Sequence, residues 1–165
     1  MATSFEYSFK AVGVDSDTVS ITALSASPML RYAFTGLAGV LGSGTTPAVT
    51  KVWGEDGALS AGAKTIDLTA LARGAISNHT FSGLKIHFGL VAADSTNTQD
   101  LTIAEGATNG YALFGSSGGP VKLGAGGVMA IYNPEYLQDV GASDLSIDLS
   151  SSDVDAGYRI ILAAG

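Results

Sequence analysis

Apolar and polar residues alternate along several short segments of the chain, and this alternation predicts β-strands. In residues 5–14, aromatic and small apolar residues alternate with polar ones, and residues 18–24 repeat the pattern with β-branched residues. Residues 84–91 are the clearest case, because large apolar residues occupy every second position. Neighbouring side chains of a strand point to opposite faces, so a period of two indicates half-buried strands.

Shorter segments of the same kind recur about every ten residues, separated by Gly, Asn, Asp or Ser. This spacing is typical of a β-sandwich or barrel. We interpret residues 54–57, Gly-Glu-Asp-Gly, as a hairpin turn that ends a short strand. The sequence therefore predicts one all-β domain over residues 1–165, with further strands near residues 50–53, 64–71, 101–103, 111–114, 145–149 and 158–163.

Residues 120–134 contain a short strand, a glycine turn, a longer apolar strand and a proline. We interpret this segment as a hairpin in the core of the domain. Its second strand is predicted to be central and to bury Ile131, so an aspartate there is expected to unfold the domain. The glycine clusters at 115–119 and 124–127 lead into strands, whereas a phosphate-binding loop leads into a helix.

The glycine-punctuated segment 36–47 is predicted to be a long loop or an arm, because glycine weakens the interior of regular elements. Residues 29–34, just before it, fit either a third strand or one helical turn. The predicted arm covers about residues 25–48 within the first 62. Apolar surface outside the sandwich marks an interaction site, so we predict oligomer or capsid contacts at Met29, Leu30, Tyr32, Phe34, Leu37, Val40 and Leu41.

The composition of the chain narrows the kind of partner it binds. Only 14% of the residues are charged, well below the usual quarter, so we expect repeated subunits to cover part of the surface. A net charge of −7 with eight scattered Lys and Arg residues predicts no nucleic-acid partner and no binding to an anionic membrane. The absence of cysteine excludes disulfides and thiolate metal sites.

Residues 1–7 have neither the basic nor the apolar region of a signal peptide, and no apolar run approaches 18 residues. We therefore expect synthesis in a cytoplasm and no transmembrane helix. Residues 78–80 fit the Asn-X-Thr pattern of N-glycosylation. Without a signal peptide, we interpret that match as chance.

Residues that could hold a metal ion are few. His79 and His87 lie in different predicted elements with no third donor suggested by spacing, so each is predicted to be an exposed or interface residue. The Asp-X-Asp pairs at 15–17 and 153–155 are spaced like calcium ligands, but aspartate is also a common turn residue. We therefore predict no metal and no cofactor.

No constellation in the sequence supports catalysis. Carboxylates that could form a glycosidase pair lie in turn-like segments: Glu55, Asp56, Glu105 and Glu135. Aromatic residues that could form a platform for a sugar are Trp53, Tyr111 and Tyr136. We predict that the chain is not an enzyme, and a carbohydrate-binding module stays open as an alternative.

From residue 84 onward, the order of features resembles that of small bacteriophage virion proteins with a jelly-roll or sandwich fold. The first matching features are the strand at 84–88, the Leu-Thr-Ile strand at 101–103 and a Gly/Asn-rich turn with aromatics at 109–114. The later ones are Val-X-Leu-X-X-Gly-Gly-Val at 121–128, an apolar strand ending at Pro134, Asp-Leu-X-Ile at 144–147, and Gly157-Tyr158 before an apolar strand. Residues 1–62 show no such match.

The resemblance implies a jelly-roll-like antiparallel β-sandwich with an N-terminal strand or arm extension. It implies a capsid decoration (cement) protein that binds between capsomers, assembles in the host cytoplasm and becomes part of the virion. Such proteins are oligomeric and often trimeric, so the expected partners are copies of the chain and the major capsid protein or another virion protein. The alternative is a receptor- or carbohydrate-binding sandwich of a phage tail or head fibre. The family pattern supplies no catalytic, cofactor-binding or metal-binding residues.

Overall fold

A computed structural model describes residues 4–15, 30–42, 44–73, 76–114, 119–133 and 137–165 of the chain. These residues form twelve β-strands, and none of them lies in a helix that could cross a membrane. The chain divides into two compact units, one of Phe5–Val40 and one of Met1–Ser4 with Leu41–Gly165. The all-β prediction is therefore confirmed.

The smaller unit is built on two long strands, β1 (Ser4–Asp15) and β2 (Leu30–Gly42), which pair in a two-stranded sheet. The predicted strand at 5–14 is confirmed, and residues 29–34 resolve in favour of a strand from Leu30 onward. The prediction of a loop is wrong for residues 36–42, because β2 continues through their glycines. Pairing with β1 supplies hydrogen bonds that offset the weak strand propensity of glycine. The predicted strand at 18–24 lies outside the described residues.

The larger unit contains two antiparallel sheets of four strands. The first sheet has the order β10 (Val128–Tyr132), β7 (Ile86–Ala93), β12 (Gly157–Ala164), β3 (Lys51–Ala58). The second has the order β4 (Ala63–Asp67), β11 (Ser146–Ser150), β8 (Leu101–Glu105), β9 (Val121–Leu123). A separate pair is formed by β5 (Leu71–Arg73) and β6 (Ile76–His79). The predicted β-sandwich is thus confirmed.

The hydrophobic core lies between the inner faces of the two sheets. In β12, Tyr158, Ile160 and Leu162 are buried at alternate positions, as the period of two predicts. Burial of aliphatic and aromatic side chains is the main favourable term in folding, at about 25 cal/mol per Å² of apolar surface. Inner residues of both sheets join one cluster, which includes Trp53, Ile86, Val91, Ile66, Leu101, Ile103, Ile147 and Leu149.

Strand β3 runs through the residues that the sequence analysis assigned to a hairpin turn. Residues 54–57 pair with β12 in unbroken register, with Glu55 opposite Ile160 and Asp56 opposite Arg159. The turn prediction is therefore wrong. Backbone pairing with β12 along the whole of β3 outweighs the local preference of Gly-Glu-Asp-Gly for a turn. Glu55 and Asp56 also form ion pairs, with Lys64 and Arg159 respectively.

Strands β9 and β10 do not pair with each other, so the prediction of a core hairpin at 120–134 is wrong. β9 pairs with β8 in the second sheet, and β10 pairs with β7 in the first. Residues 124–127 form the turn between them and connect strand to strand, as predicted. Ile131 packs against the core but is only partly buried, because β10 is an edge strand.

The buried side chain of Tyr111 connects three segments of the sandwich. Its hydroxyl donates a hydrogen bond to the carbonyl oxygen of Gln138 (2.9 Å) and accepts one from the backbone N–H of Ile86 (3.2 Å). Burial raises the pKa of Tyr111 to about 12, and the charges of Asp139 and Asp144 act in the same direction. The phenol therefore stays neutral in the folded chain well above the pH at which a free tyrosine ionises.

We expect the stability of the sandwich to fall between pH 10 and 12 in a way that depends on Tyr111. An unfolded tyrosine ionises near pH 10 and the folded one at about 12, so its contribution is complete below pH 10 and is lost as the pH rises to 12. Urea unfolding from pH 8 to 11.5 should show a steeper loss for the wild type than for Tyr111→Phe. Parallel losses for the two proteins would contradict this prediction.

Candidate functional site

A polar cleft of about 230 Å³ opens at one end of the first sheet, where β7 ends and β12 begins. Its lining includes Asp56, Asp94, Ser95 and Arg159. The Arg159 guanidinium donates two hydrogen bonds to Asp56 Oδ2, at 2.9 Å from Nε and 2.6 Å from Nη2. This pair, with Asp94 nearby, raises the pKa of Arg159. Because both side chains are largely exposed, the ion pair contributes little to stability.

Asp94, which lines the cleft, and Asp153 each accept hydrogen bonds from a nearby loop. Asp94 accepts hydrogen bonds from the backbone N–H and the hydroxyl of Thr96, which lower its pKa. Asp153 accepts the same pair of bonds from Thr98, and its pKa is lowered for the same reason. Residues 153–155 form a turn, as predicted, because the N–H of Ala156 donates to the carbonyl of Asp153 (3.3 Å).

A buried amide joins the loop after β7 to the start of β12. Asn97 Oδ1 accepts a hydrogen bond from the N–H of Gly157 (2.7 Å), and Asn97 Nδ2 donates one to the carbonyl of Gly157 (2.9 Å). Both backbone groups of one residue are thus satisfied by one side chain. The sequence analysis did not single out Asn97, because the contact joins residues 60 positions apart in the chain.

A second cluster centres on Glu55, whose carboxylate joins strands from both sheets. Glu55 Oε1 accepts hydrogen bonds from the hydroxyl of Tyr158 and from Lys64 Nζ, the latter at 3.0 Å. Burial and the neighbouring Glu55 raise the pKa of Tyr158. The Glu55 carboxylate accepts two hydrogen bonds from its own chain and thereby links β3, β4 and β12. We therefore assign it a structural role rather than that of a general base.

The two histidines lie in different strands, His79 in β6 and His87 in β7, and each contacts other residues of the fold. His87 was predicted to be an exposed or interface residue, but it is only 6% exposed within the chain itself, so the exposed alternative is wrong. The pairing of β7 with β12 shifts register beside it, from Phe88 opposite Ala163 to Ile86 opposite Ala164, and the His87 Nδ1 lies 3.3 Å from the Asn133 carbonyl. The His79 ring packs edge-on against Phe81. No group of three or more metal-binding side chains occurs among the residues that the structure describes.

Two of the three aromatic residues considered for a sugar platform are buried. Trp53 is 2% exposed and its indole N–H donates to the carbonyl of Ala72, while Tyr111 is fully buried. Both belong to the hydrophobic core, so this prediction is wrong for them. Tyr136 lies outside the described residues. Of the predicted carboxylates, Glu55 and Asp56 are tied in ion pairs, and Glu135 also lies outside the described residues.

Six of the seven predicted contact residues lie on one strand. Leu30, Tyr32, Phe34, Leu37, Val40 and Leu41 all belong to β2, and Met29 lies outside the described residues. Within the sandwich, the sequence analysis missed an exposed apolar row on β10, formed by Val128, Ala130 and Tyr132. The signal was the uncharged sequence of β10, which was interpreted as evidence for a central strand.

Comparison with known proteins adds no relative. No protein-family model matches the chain, and neither the curated proteins nor the solved structures yield a match. Function is therefore inferred from the geometry of the fold and from the order of sequence features in residues 84–165.

Proposed function

We propose that the protein is a structural component of a bacteriophage virion, a decoration or cement protein that binds between capsomers and stabilises the head. The observation that carries this proposal is the order of strands. Numbered one to eight along the chain, the sandwich strands have the order 6-3-8-1 in the first sheet and 2-7-4-5 in the second. In this order the first and last strands are neighbours and two Greek keys are wrapped together, which supports a jelly roll, a fold used by viral capsid domains.

The contact surface that we propose lies on the smaller unit. β1 and β2 form a two-stranded sheet, and such a sheet is marginally stable unless a partner covers one of its faces. Leu30, Tyr32 and Phe34 are large apolar residues at alternate positions of the β2 sequence. A capsid protein or a neighbouring copy that covers this two-stranded sheet is the partner that we propose.

The surface chemistry agrees with a protein partner. The low charge content and the net charge of −7 fit packing against protein better than binding to phosphate groups. The proposal assigns no catalysis and no cofactor to the chain. From the resemblance, its partners are further copies, a homotrimer being favoured, and the major capsid protein or another virion protein.

The proposal predicts that the protein is present in purified particles of the phage that encodes it and rebinds to heads from which it has been stripped. Replacing both Tyr32 and Phe34 with serine should weaken rebinding at least tenfold, because two large aromatic residues are lost from the proposed contact strand. Replacing Arg31 with glutamine, which keeps every apolar residue of β2, should leave rebinding unchanged. Absence from purified particles by mass spectrometry, or equal binding by all three proteins, would overturn the proposal.

A receptor- or carbohydrate-binding role is the alternative, and the structure favours it less. Binding of sugars requires exposed aromatic residues near one another, and Trp53 and Tyr111 are both in the core. A glycan array probed with the whole chain separates the two roles, since the proposed cement protein should give no specific signal.

A further inference from the structure

Strand β10 forms one edge of the first sheet, and among the described strands it pairs only with β7. The N–H of Ala93 donates to the carbonyl of Gly127, and the N–H of Asn133 donates to the carbonyl of His87. In an antiparallel ladder, alternate residues direct both backbone groups to the same side. The odd-numbered residues of β10 therefore face β7, and the N–H and C=O groups of Val128 and Ala130 point away from the sheet.

This edge lacks the charges that protect the other edges of the sandwich. Natural proteins commonly place charged residues, proline or bulges on edge strands to prevent pairing with other chains. The remaining edge strands of the two four-stranded sheets, β3, β4 and β9, carry Glu55 and Asp56, Lys64, and Lys122 respectively. β10, with the sequence Val-Met-Ala-Ile-Tyr, carries no charge and no proline.

The outward face of β10 is also apolar. Val128 is 60% exposed and Tyr132 is 42% exposed, although both are large hydrophobic residues, and Ala130 between them is exposed. Met129 and Ile131, on the opposite face, pack against the core. Outward-pointing backbone groups and an exposed apolar row therefore coincide on β10, as they do in sheets that accept an additional strand.

We propose that β10 is a self-association edge, at which the β10 strands of two copies pair antiparallel about a twofold axis through Ala130. Ala130 then lies opposite Ala130 of the second copy and exchanges a pair of backbone hydrogen bonds with it. Val128 lies opposite Tyr132 of the second copy, which is an aromatic with β-branched pair of the kind that stabilises antiparallel strands. The two first sheets become one continuous sheet across the axis.

A second copy of the chain is the occupant that this edge fits best. Each chain carries a net charge of −7, so copies repel one another unless they meet where no like charges are opposed. β10 offers such a place, and its sequence is complementary to itself in the proposed register. The contact is isologous, with the same surface used on both sides, as in most symmetric dimers.

The twofold contact uses β10, whereas the contact proposed for the virion protein uses β2. When two trimers pair through all three of their β10 edges, the closed species is a hexamer that separates into trimers when β10 is blocked. If only the β10 contact forms, a dimer separates into monomers. Blocking β10 therefore halves the mass in either case.

The test is sedimentation velocity of the whole chain at about 10 to 200 μM. This range is needed because a contact made by one five-residue strand from each chain lies at the weak end of specific interfaces. The wild type should have a mass of an even number of chains. Ala130→Pro removes an N–H that the ladder with β7 does not use and should halve the mass. Ala130→Ser, which keeps the N–H, should not. Ala130→Lys, which places two like charges directly opposite each other at the axis, should halve the mass even if Ala130→Pro fails to fold.

Cysteine cross-linking tests the register itself, since the natural chain contains no cysteine. Ala130→Cys should form a disulfide-linked pair on mild oxidation, because the Cα atoms of residue 130 in the two copies lie close together on either side of the axis. Ala142→Cys, an exposed position away from β10, should not under the same conditions. A monomeric or odd-numbered wild type, an unchanged mass for the folded variants, or equal cross-linking at both positions would overturn the proposal.

Discussion

Replacing Ile160 with aspartate is expected to unfold the sandwich. Ile160 is fully buried in β12, between Val91 of β7 and Glu55 of β3. An aspartate there would place an unpaired charge in the core and oppose a second carboxylate across the strands, so we expect a loss of at least about 4 kcal/mol. Circular dichroism in a urea titration should show no folded baseline at 25 °C.

Ile131→Asp is the matched variant, because it makes the same change on the edge strand β10. Ile131 has one neighbouring strand, with Gly89 as its partner, and it is only partly buried. The carboxylate can reach water there, so we expect a smaller loss of about 1–3 kcal/mol. This replaces the expectation, drawn from the sequence, that Ile131→Asp unfolds the domain. Equal losses for the two variants would mean that β10 is not an edge.

Replacing Gly62 with alanine is expected to produce the second-largest loss. Gly62 has a φ of +77°, and a Cβ there would lie 2.6 Å from the carbonyl oxygen of Ser151. The two backbones are held together by hydrogen bonds of 2.9 Å from Gly62 to Val154 and from Ser151 to Gly62. To avoid this clash, the turn between β3 and β4 must move away from the segment between β11 and β12. We therefore expect the free energy of unfolding to fall by about 2–4 kcal/mol, which includes the backbone strain.

Gly83→Ala is the control that isolates the clash from the strain. Gly83 has a similar φ of +74°, but nothing lies within 4 Å of the position of a Cβ. The substitution should therefore cost only the left-handed conformation, about 1–2 kcal/mol. Thermal unfolding, in which about 1 kcal/mol corresponds to roughly 2–4 °C for a chain of this size, should place Gly62→Ala below Gly83→Ala. The reverse order would contradict the packing described at the turn.

The sequence analysis succeeded where burial follows directly from a local pattern. The apolar residues at alternate positions of β12 lie in the core, and residues 86–91 lie in β7 as predicted. The inner face of β7 was not predicted, because Val91 belongs to the core cluster whereas Leu90 is only half-buried. The sequence analysis also failed at His87, which was assigned to an exposed face. β7 is a central strand with neighbours on both sides, and a polar residue in such a strand can be buried whatever the alternation suggests.

The candidate site residues were harder to predict than the strands. Trp53 and Tyr111 are aromatic residues with a polar atom, a combination equally suited to a binding surface and to a core that satisfies that atom. The contacts that decide between these roles, from Trp53 to Ala72 and from Tyr111 to Gln138, join residues distant in sequence. No pattern within a short window contains that information.

By itself, the sequence determined that the chain folds into strands, that those strands build an antiparallel sandwich, and that the glycine cluster at 124–127 connects strand to strand. These properties depend on the period of apolar residues and on turn chemistry, which are local. Only the tertiary structure decided that residues 54–57 continue β3, that β9 and β10 belong to different sheets, and that β10 is an uncharged edge. Strand neighbours are chosen by backbone pairing and core packing over the whole chain, and a strand has the same local pattern whether one neighbour covers it or two.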